Sequence, residues 1–150
     1  MSQLLHLADT ADLDRLAPMV ARFHAEAGII SDDAHIRAAL EPLLEGSPLG
    51  AVWMIGPKMA PVGYVCVSFG WSLELGGLDG MIDELWVREA VRGRGMGTEA
   101  IAALQKALGA SGVRALHLEG IGAQATRLYE RAGFQRRPHA LLTWQPGTEG

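Results

Sequence analysis

Residues 81–108 fall into three consecutive pieces, MIDELWV, REAVRGRGMG and TEAIAALQKAL. The first reads as a strand. The last carries Ile101, Leu104 and Leu108 at helical spacing. Between them Gly93, Gly95 and Gly97 alternate with Arg92, Arg94 and Met96, and Thr98 follows. Amides entering a helix carry partial positive charge, and glycines let the chain curl until several of them point at one anion. Guanidinium groups add fixed charge that forks onto phosphate oxygens. Strand, glycine loop and helix therefore stand in the order that a phosphate cradle requires.

The rest of the chain supplies the setting. QLLHLA reads as a short strand, and Leu13, Leu16, Met19, Val20 and Phe23 make a helical face that stops at Gly28. A second helix follows, capped by Ser31 or Asp32, with a bend or break expected at Pro42. AVWMI, PVGYVCVSF and MIDELWV are strands separated by turn signals, and after the glycine helix come VRALHLE, the helix AQATRLYERAG and a last strand, ALLTWQ. The order βααβββαβαβ describes one α/β or α+β domain with partly sequential, antiparallel strands.

Composition removes several classes of function. The 150 residues carry 13 Lys and Arg against 17 Asp and Glu, a net charge of -4, with no basic stripe for a nucleic acid. Cys66 is the single cysteine, which excludes an intramolecular disulfide or a multi-cysteine zinc site and points to a reducing compartment. No apolar run approaches the ~20 residues of a membrane span, and the start lacks a signal pattern, so a soluble cytoplasmic protein is expected. The five histidines show no metal spacing.

The ligand of the loop has two readings. A P-loop is excluded because no lysine sits in it. Gly95 to Ala100 satisfies the dinucleotide pattern G-x-G-x-x-A, and Glu119 stands about 20 residues on, where a ribose-binding acid belongs. Against nicotinamide chemistry stand the charged REAVR segment and the few residues left after Glu119 for a second half. The alternative rests on three stretches. Arg92 to Gly97 resembles the [QR]-x-x-G-x-[GA] signature of the GNAT superfamily of N-acetyltransferases, MIDELWVREAVRGRGMGTEAI its fourth strand, loop and third helix, and ATRLYERAGFQR its A-x-x-L-Y-x-x-x-G-F segment.

The resemblance covers essentially the whole chain and implies a mixed, mostly antiparallel sheet flanked by about four helices and splayed between its fourth and fifth strands, one domain over residues 1–150. It also implies acetyl-CoA as cofactor, with Arg92 to Thr98 (Arg92, Gly93, Arg94, Gly95, Met96, Gly97, Thr98) around the pyrophosphate and the main chain of Leu85, Trp86 and Val87 along the thioester and pantetheine. Acetyl transfer to an amine needs a proton acceptor, since an alkylammonium has a pKa near ~10.4. Glu84 and Asp83 are the candidates, and as strand neighbours they are expected to point to opposite faces. A salt bridge to a nearby arginine is the structural alternative for them. Tyr129 is the implied general acid for the thiolate. Gly122 stands where the family often has a cofactor-contacting asparagine, and Gln124 is the substitute.

Other residues read as structural. His24 and Glu26 are expected at a solvated helix end, Cys66 and the tryptophans Trp53, Trp71 and Trp86 as packing. His117 and Glu119 lack the P-C-x-x-C partner of a zinc deaminase. The apolar hairpin FGWSLELGG has the character of a lid or a dimer surface, and related acetyltransferases often pair. The expected function is acetyl transfer to a primary amine of a small molecule, directly within a ternary complex. A CoA-binding sensor without turnover is the reading from outside the enzymes.

Overall fold

The computed structural model describes residues 4–119 and 123–147, excluding the side chains of residues 123–125. Its elements in chain order are β1 (Leu5–Leu7), α1 (Leu13–Ala27), α2 (Asp33–Leu44), β2 (Gly50–Ile55), β3 (Gly63–Ser72), β4 (Gly77–Val87), α3 (Met96–Ala110), β5 (Ala115–His117) and α4 (Ala123–Arg131). The strands lie in sequence order in one sheet; β1 to β4 are antiparallel, and β5 is parallel to β4. A parallel neighbour requires a crossover, and α3 provides it.

The sheet separates two cores. On one face Leu16, Ala17 and Val20 of α1 and Ile36 and Leu40 of α2 pack on Val52, Met54, Tyr64 and Trp86. On the other, Ile101, Leu104 and Leu108 of α3 pack on Ile55, Val65, Val67 and Ile82. Period-2 alternation along β2 and β3 feeds both cores at once, which is why these strands carry apolar residues on each side.

Local chemistry sets the helix ends that matter for the site. Gly28 closes α1 at φ 73°, a left-handed conformation that glycine adopts without a Cβ penalty. Of the two caps open for α2, Asp32 takes the role: its Oδ1 accepts from the His35 amide at 2.8 Å. The Ser31 hydroxyl is thereby left for another partner.

Two expectations are corrected. Pro42 does not break α2, which runs on to Leu44. A proline forfeits the bond to the carbonyl four residues back, and Ala38 lies on the exposed side of the helix, where water can replace it. ALLTWQ is not a strand: residues 140–145 are irregular, with Leu142 92% and Trp144 79% exposed. A strand exists only where a ladder takes its amides and carbonyls, and the three-residue β5 offers little edge to pair with. In the β3–β4 hairpin, Trp71 faces Leu78 across the ladder, and Trp71 and Leu73 are exposed.

Candidate active site

The site is built on β4. Its register against β3 pairs Val67 with Ile82 and Cys66 with Glu84, so Asp83 is the additional residue of a β-bulge. The bulge changes the facing pattern. Ile82 and Leu85 both join the α3 core, while Glu84 and Trp86, opposite Cys66 and Tyr64, face α1. Simple alternation between Asp83 and Glu84 is thus interrupted: Glu84 turns toward α1 and Asp83 is exposed. On the other edge, parallel pairing with β5 covers Asp79, Gly80 and Met81 and then ends. From Ile82 to Val87 that edge has no ladder partner among the described residues. Leu85, Trp86 and Val87 lie on this open stretch.

Glu84 is fixed at both oxygens. Tyr64 donates its hydroxyl to Oε1 at 2.8 Å, and Nε2 of His24 lies 2.7 Å from Oε2. The Nδ1 of His24 lies 2.7 Å from the Ser31 hydroxyl. With Glu84 ionised and the imidazole neutral, Nε2–H donates to Glu84 and Nδ1 accepts from Ser31, so each polar group in the chain is satisfied. The side chains of His24 and Glu84 are 12% and 17% exposed, so this is a half-buried network and not a solvated helix end. Burial, reinforced by the Glu84 charge, pushes the Tyr64 phenol far up, so it stays protonated and donates to Glu84. Among the described residues, no ion pair of Asp83 or Glu84 with Arg88, Arg92 or Arg94 is formed.

Glu26, two residues beyond His24, anchors a second set of contacts. It accepts from Trp86 Nε1 at 2.7 Å and from Arg92 at 2.8 and 2.9 Å, and the Arg92 guanidinium holds its carboxyl below the ordinary range. Arg92 also donates to the Val87 carbonyl at 2.8 Å and lies 5.9 Å from the Trp86 ring centroid. Arg92 therefore straps the start of the glycine loop to β4 and α1. Arg94 makes no such contact with a described residue.

The loop itself is open. Gly93 and Gly95 have φ of 79° and 80°, and a Cβ at Gly93, Gly95 or Gly97 would meet nothing within 4 Å. The amides of Gly93, Arg94 and Gly95 find no backbone acceptor among the described residues, and helix geometry leaves those of Met96, Gly97 and Thr98 unpaired in the first turn of α3. Six adjacent amides at one helix entry form a site for an anion.

Tyr129 sits on α4 against the α3 core, its ring edge-on to Phe134 at 5.7 Å, and burial raises its phenol pKa. Burial, with the charges of Asp83 and Glu84, pushes the Cys66 thiol up to about 12. A thiol held there is not a nucleophile at neutral pH. His117 lies 3.3 Å from Asp79 on the neighbouring strand. Trp71 is exposed, Trp53 packs in the α3 core, and Trp86 is 5% exposed with its indole nitrogen committed to Glu26. Gln124 and Gly122 fall outside the described side chains. The sequence reading missed His24, Ser31 and Tyr64 as partners of Glu84. They lie 60, 53 and 20 positions from it, and no local pattern links them.

The Acetyltransferase (GNAT) family profile matches residues 17–134, from within α1 to beyond the end of α4. The chain belongs to the GNAT family. An integron cassette protein from the mobile metagenome of Cole Harbour Salt Marsh is 31% identical, with a TM-score of 0.85 over 97% of this chain and 92% of its own. Two further structures share the fold. The ribosomal-protein-alanine N-acetyltransferase of Brucella melitensis biovar Abortus 2308 is 20% identical, with a TM-score of 0.75 over 94% of this chain and 98% of its own. A predicted acetyltransferase of Clostridium acetobutylicum, crystallised with acetyl-CoA, is 18% identical, with a TM-score of 0.76 over 93% of this chain and 94% of its own. No curated protein matches the chain significantly in sequence.

GNAT membership brings acyl transfer from acetyl-CoA and overturns the nicotinamide reading. The residues fit the cofactor: an unpaired strand edge on which an extended amide chain can lie, followed by free amides for a diphosphate. No helix among the described residues is long and apolar enough to cross a membrane.

Proposed function

We propose that this chain, as one domain over residues 1–150, transfers the acetyl group of acetyl-CoA directly to a primary amine of a small molecule within a ternary complex. The observation that carries the reading is Glu84, held at both oxygens beside the open edge of β4. Bound acetyl-CoA supplies an acyl group activated as a thioester. The amine must reach it neutral, and Glu84 takes its proton. His24 Nε2–H and the Tyr64 hydroxyl aim the carboxylate, and Ser31 fixes the imidazole. Asp83, exposed on the bulge, adds negative charge that draws an ammonium to the same place.

The free amides of residues 93–98 and the guanidinium of Arg94 hold the diphosphate, while Arg92 shapes the loop through its strap to Glu26. Main-chain groups of Leu85, Trp86 and Val87 take the pantetheine and polarise the acyl carbonyl. Tyr129 holds the proton for the departing thiolate. Its burial keeps the phenol protonated, so Tyr129 would hold a proton that bound coenzyme A thiolate could take. Cys66 takes no part.

A panel of amines, assayed by release of free thiol from acetyl-CoA, tests the reading. Turnover with at least one primary amine, lost in Glu84→Gln, is the expected result. Acetyl-CoA binding without turnover across the panel would instead identify a sensor.

A further inference from the structure

Two cavities of about 670 and 710 Å³ lie on the α1 face at the end of β4 and share Arg22, Trp86 and Arg88, so they form one open groove. Two periodicities build it. On α1, Arg15, Met19, Arg22 and Glu26 recur at three- and four-residue spacing and make a single stripe. On the sheet, Trp86 shares the α1 face with Glu84, and the extended backbone at Arg88 carries the path beyond the end of the strand. Met59 and Pro61 of the β2–β3 turn close the far side.

Charge sets this groove apart. Three arginines and no carboxylate line the first cavity, in a chain with 17 acidic and 13 basic residues. Arg15 is already engaged with the Lys58 carbonyl at 3.1 Å and lies 3.9 Å from Asp12. The guanidiniums of Arg22 and Arg88 form no hydrogen bond or ion pair with a described residue. The second cavity adds two carboxylates, Glu89 and Glu26, and Glu26 has both oxygens turned to Arg92. What remains in the first cavity is a pair of planar cations, Arg22 and Arg88, beside exposed Met59 and the edges of the largely buried Trp86 and Met19.

We propose that this groove binds an oxyanion, a carboxylate or phosphate, carried on an apolar or aromatic body. Arg22 and Arg88 fork onto the oxygens, and exposed Met59, with the edges of Trp86 and Met19 that reach the cavity, takes the apolar part. The anion has two possible sources: the far end of the acyl acceptor or a separate effector. Four residues of extended chain separate Glu84 from Arg88, roughly 13 Å, so an acceptor reaching both carries its amine and anion on a spacer of several bonds.

Phenyl phosphate titrated calorimetrically into protein saturated with coenzyme A tests the site while the glycine loop stays occupied. Saturable, salt-weakened binding is expected, reduced roughly tenfold or more in Arg22→Gln/Arg88→Gln and partly restored in Arg22→Lys/Arg88→Lys. Absence of saturable binding to the unaltered chain, or equal binding to the Gln variant, overturns the proposal. A parallel fall in coenzyme A affinity also overturns it, because the groove would then serve the cofactor. Both arginines are exposed, so the variants are expected to fold, with an unchanged Tm as the control. Kinetics with 6-aminohexanoate and hexylamine assign the source. A loss of kcat/KM confined to the aminocarboxylate in the Gln variant makes the anion the acceptor's own. An equal effect of phenyl phosphate on both amines makes it an effector. The binding measurement needs no turnover, so its outcome is separate from that of the acetyltransferase reading.

Discussion

The two edges of β4 serve different ends. Toward β3 the strand is paired along its whole length, ten residue pairs from Gly77 to Val87; toward β5 the ladder lasts three, Asp79 to Met81. One edge satisfies its amides within the fold, and the other has no ladder partner among the described residues from Ile82 to Val87, the stretch proposed for the cofactor. The bulge at Asp83 lies just beyond the last β5 pair, and it turns Glu84 toward α1 at the point where the open edge begins. A fully laddered strand would be more stable and would have nowhere to take a cofactor.

The sharpest way to break this comparison is at the open edge. Glu84→Gln should lower kcat by about 10²–10⁴ and leave Tm within a few degrees, since an amide can still accept from Tyr64. Steady-state kinetics beside a thermal melt checks both halves. An equal loss in melt and turnover would make Glu84 a structural residue.

At the paired edge the expected effect is on stability. A Cβ at Gly63 would sit 2.2 Å from the Trp86 carbonyl oxygen and 3.0 Å from Val87 Cα, both backbone atoms. Gly63→Ala should cost about 3 kcal/mol and lower Tm by on the order of 10 °C. Gly95→Ala meets no atom within 4 Å and suffers only the left-handed backbone, about 1–2 kcal/mol, with a raised KM for acetyl-CoA. If the two substitutions destabilise equally, the distinction between the edges is not one of close approach.

Smaller effects sharpen the same picture. Arg94→Ala should raise KM for acetyl-CoA several-fold at constant kcat, as expected of a lost charge-assisted contact made equally before and during reaction. The Arg92–Glu26 strap titrates as a depressed carboxylate: its contribution is present above the ordinary carboxylate pKa and lost as pH falls through the lower folded value. Loop proteolysis rising only at acid pH would report this. Cys66→Ala should leave turnover unchanged, and alkylation of Cys66 should be slow at pH 8, where a pKa of about 12 leaves roughly one thiolate in ten thousand.

Much of the fold was legible because it is written locally. The helical stripe from Leu13 to Phe23, the stop at Gly28, the strand–glycine–helix order and the adjacent acids of β4 are all patterns of short range. Pro42 and ALLTWQ were misread for a common reason: whether a local preference is obeyed depends on what the backbone groups meet, and solvent at Ala38 and the short β5 supplied the answers. Reading His24 as solvated failed in the same way, whereas Glu26 is exposed as expected but tied to Trp86 and Arg92.

From the sequence alone came the kind of chemistry: glycines that free amides at a helix entry, a carboxylate for an amine, and no thiol or metal set to compete. Only the tertiary structure decided which carboxylate faces inward, which residues grip it, and which arginine is spent on a strap and which are left free. Those outcomes depend on one extra residue in a ladder and on side chains brought together from 20 to 66 positions apart, and such contacts arise from packing and not from neighbouring sequence.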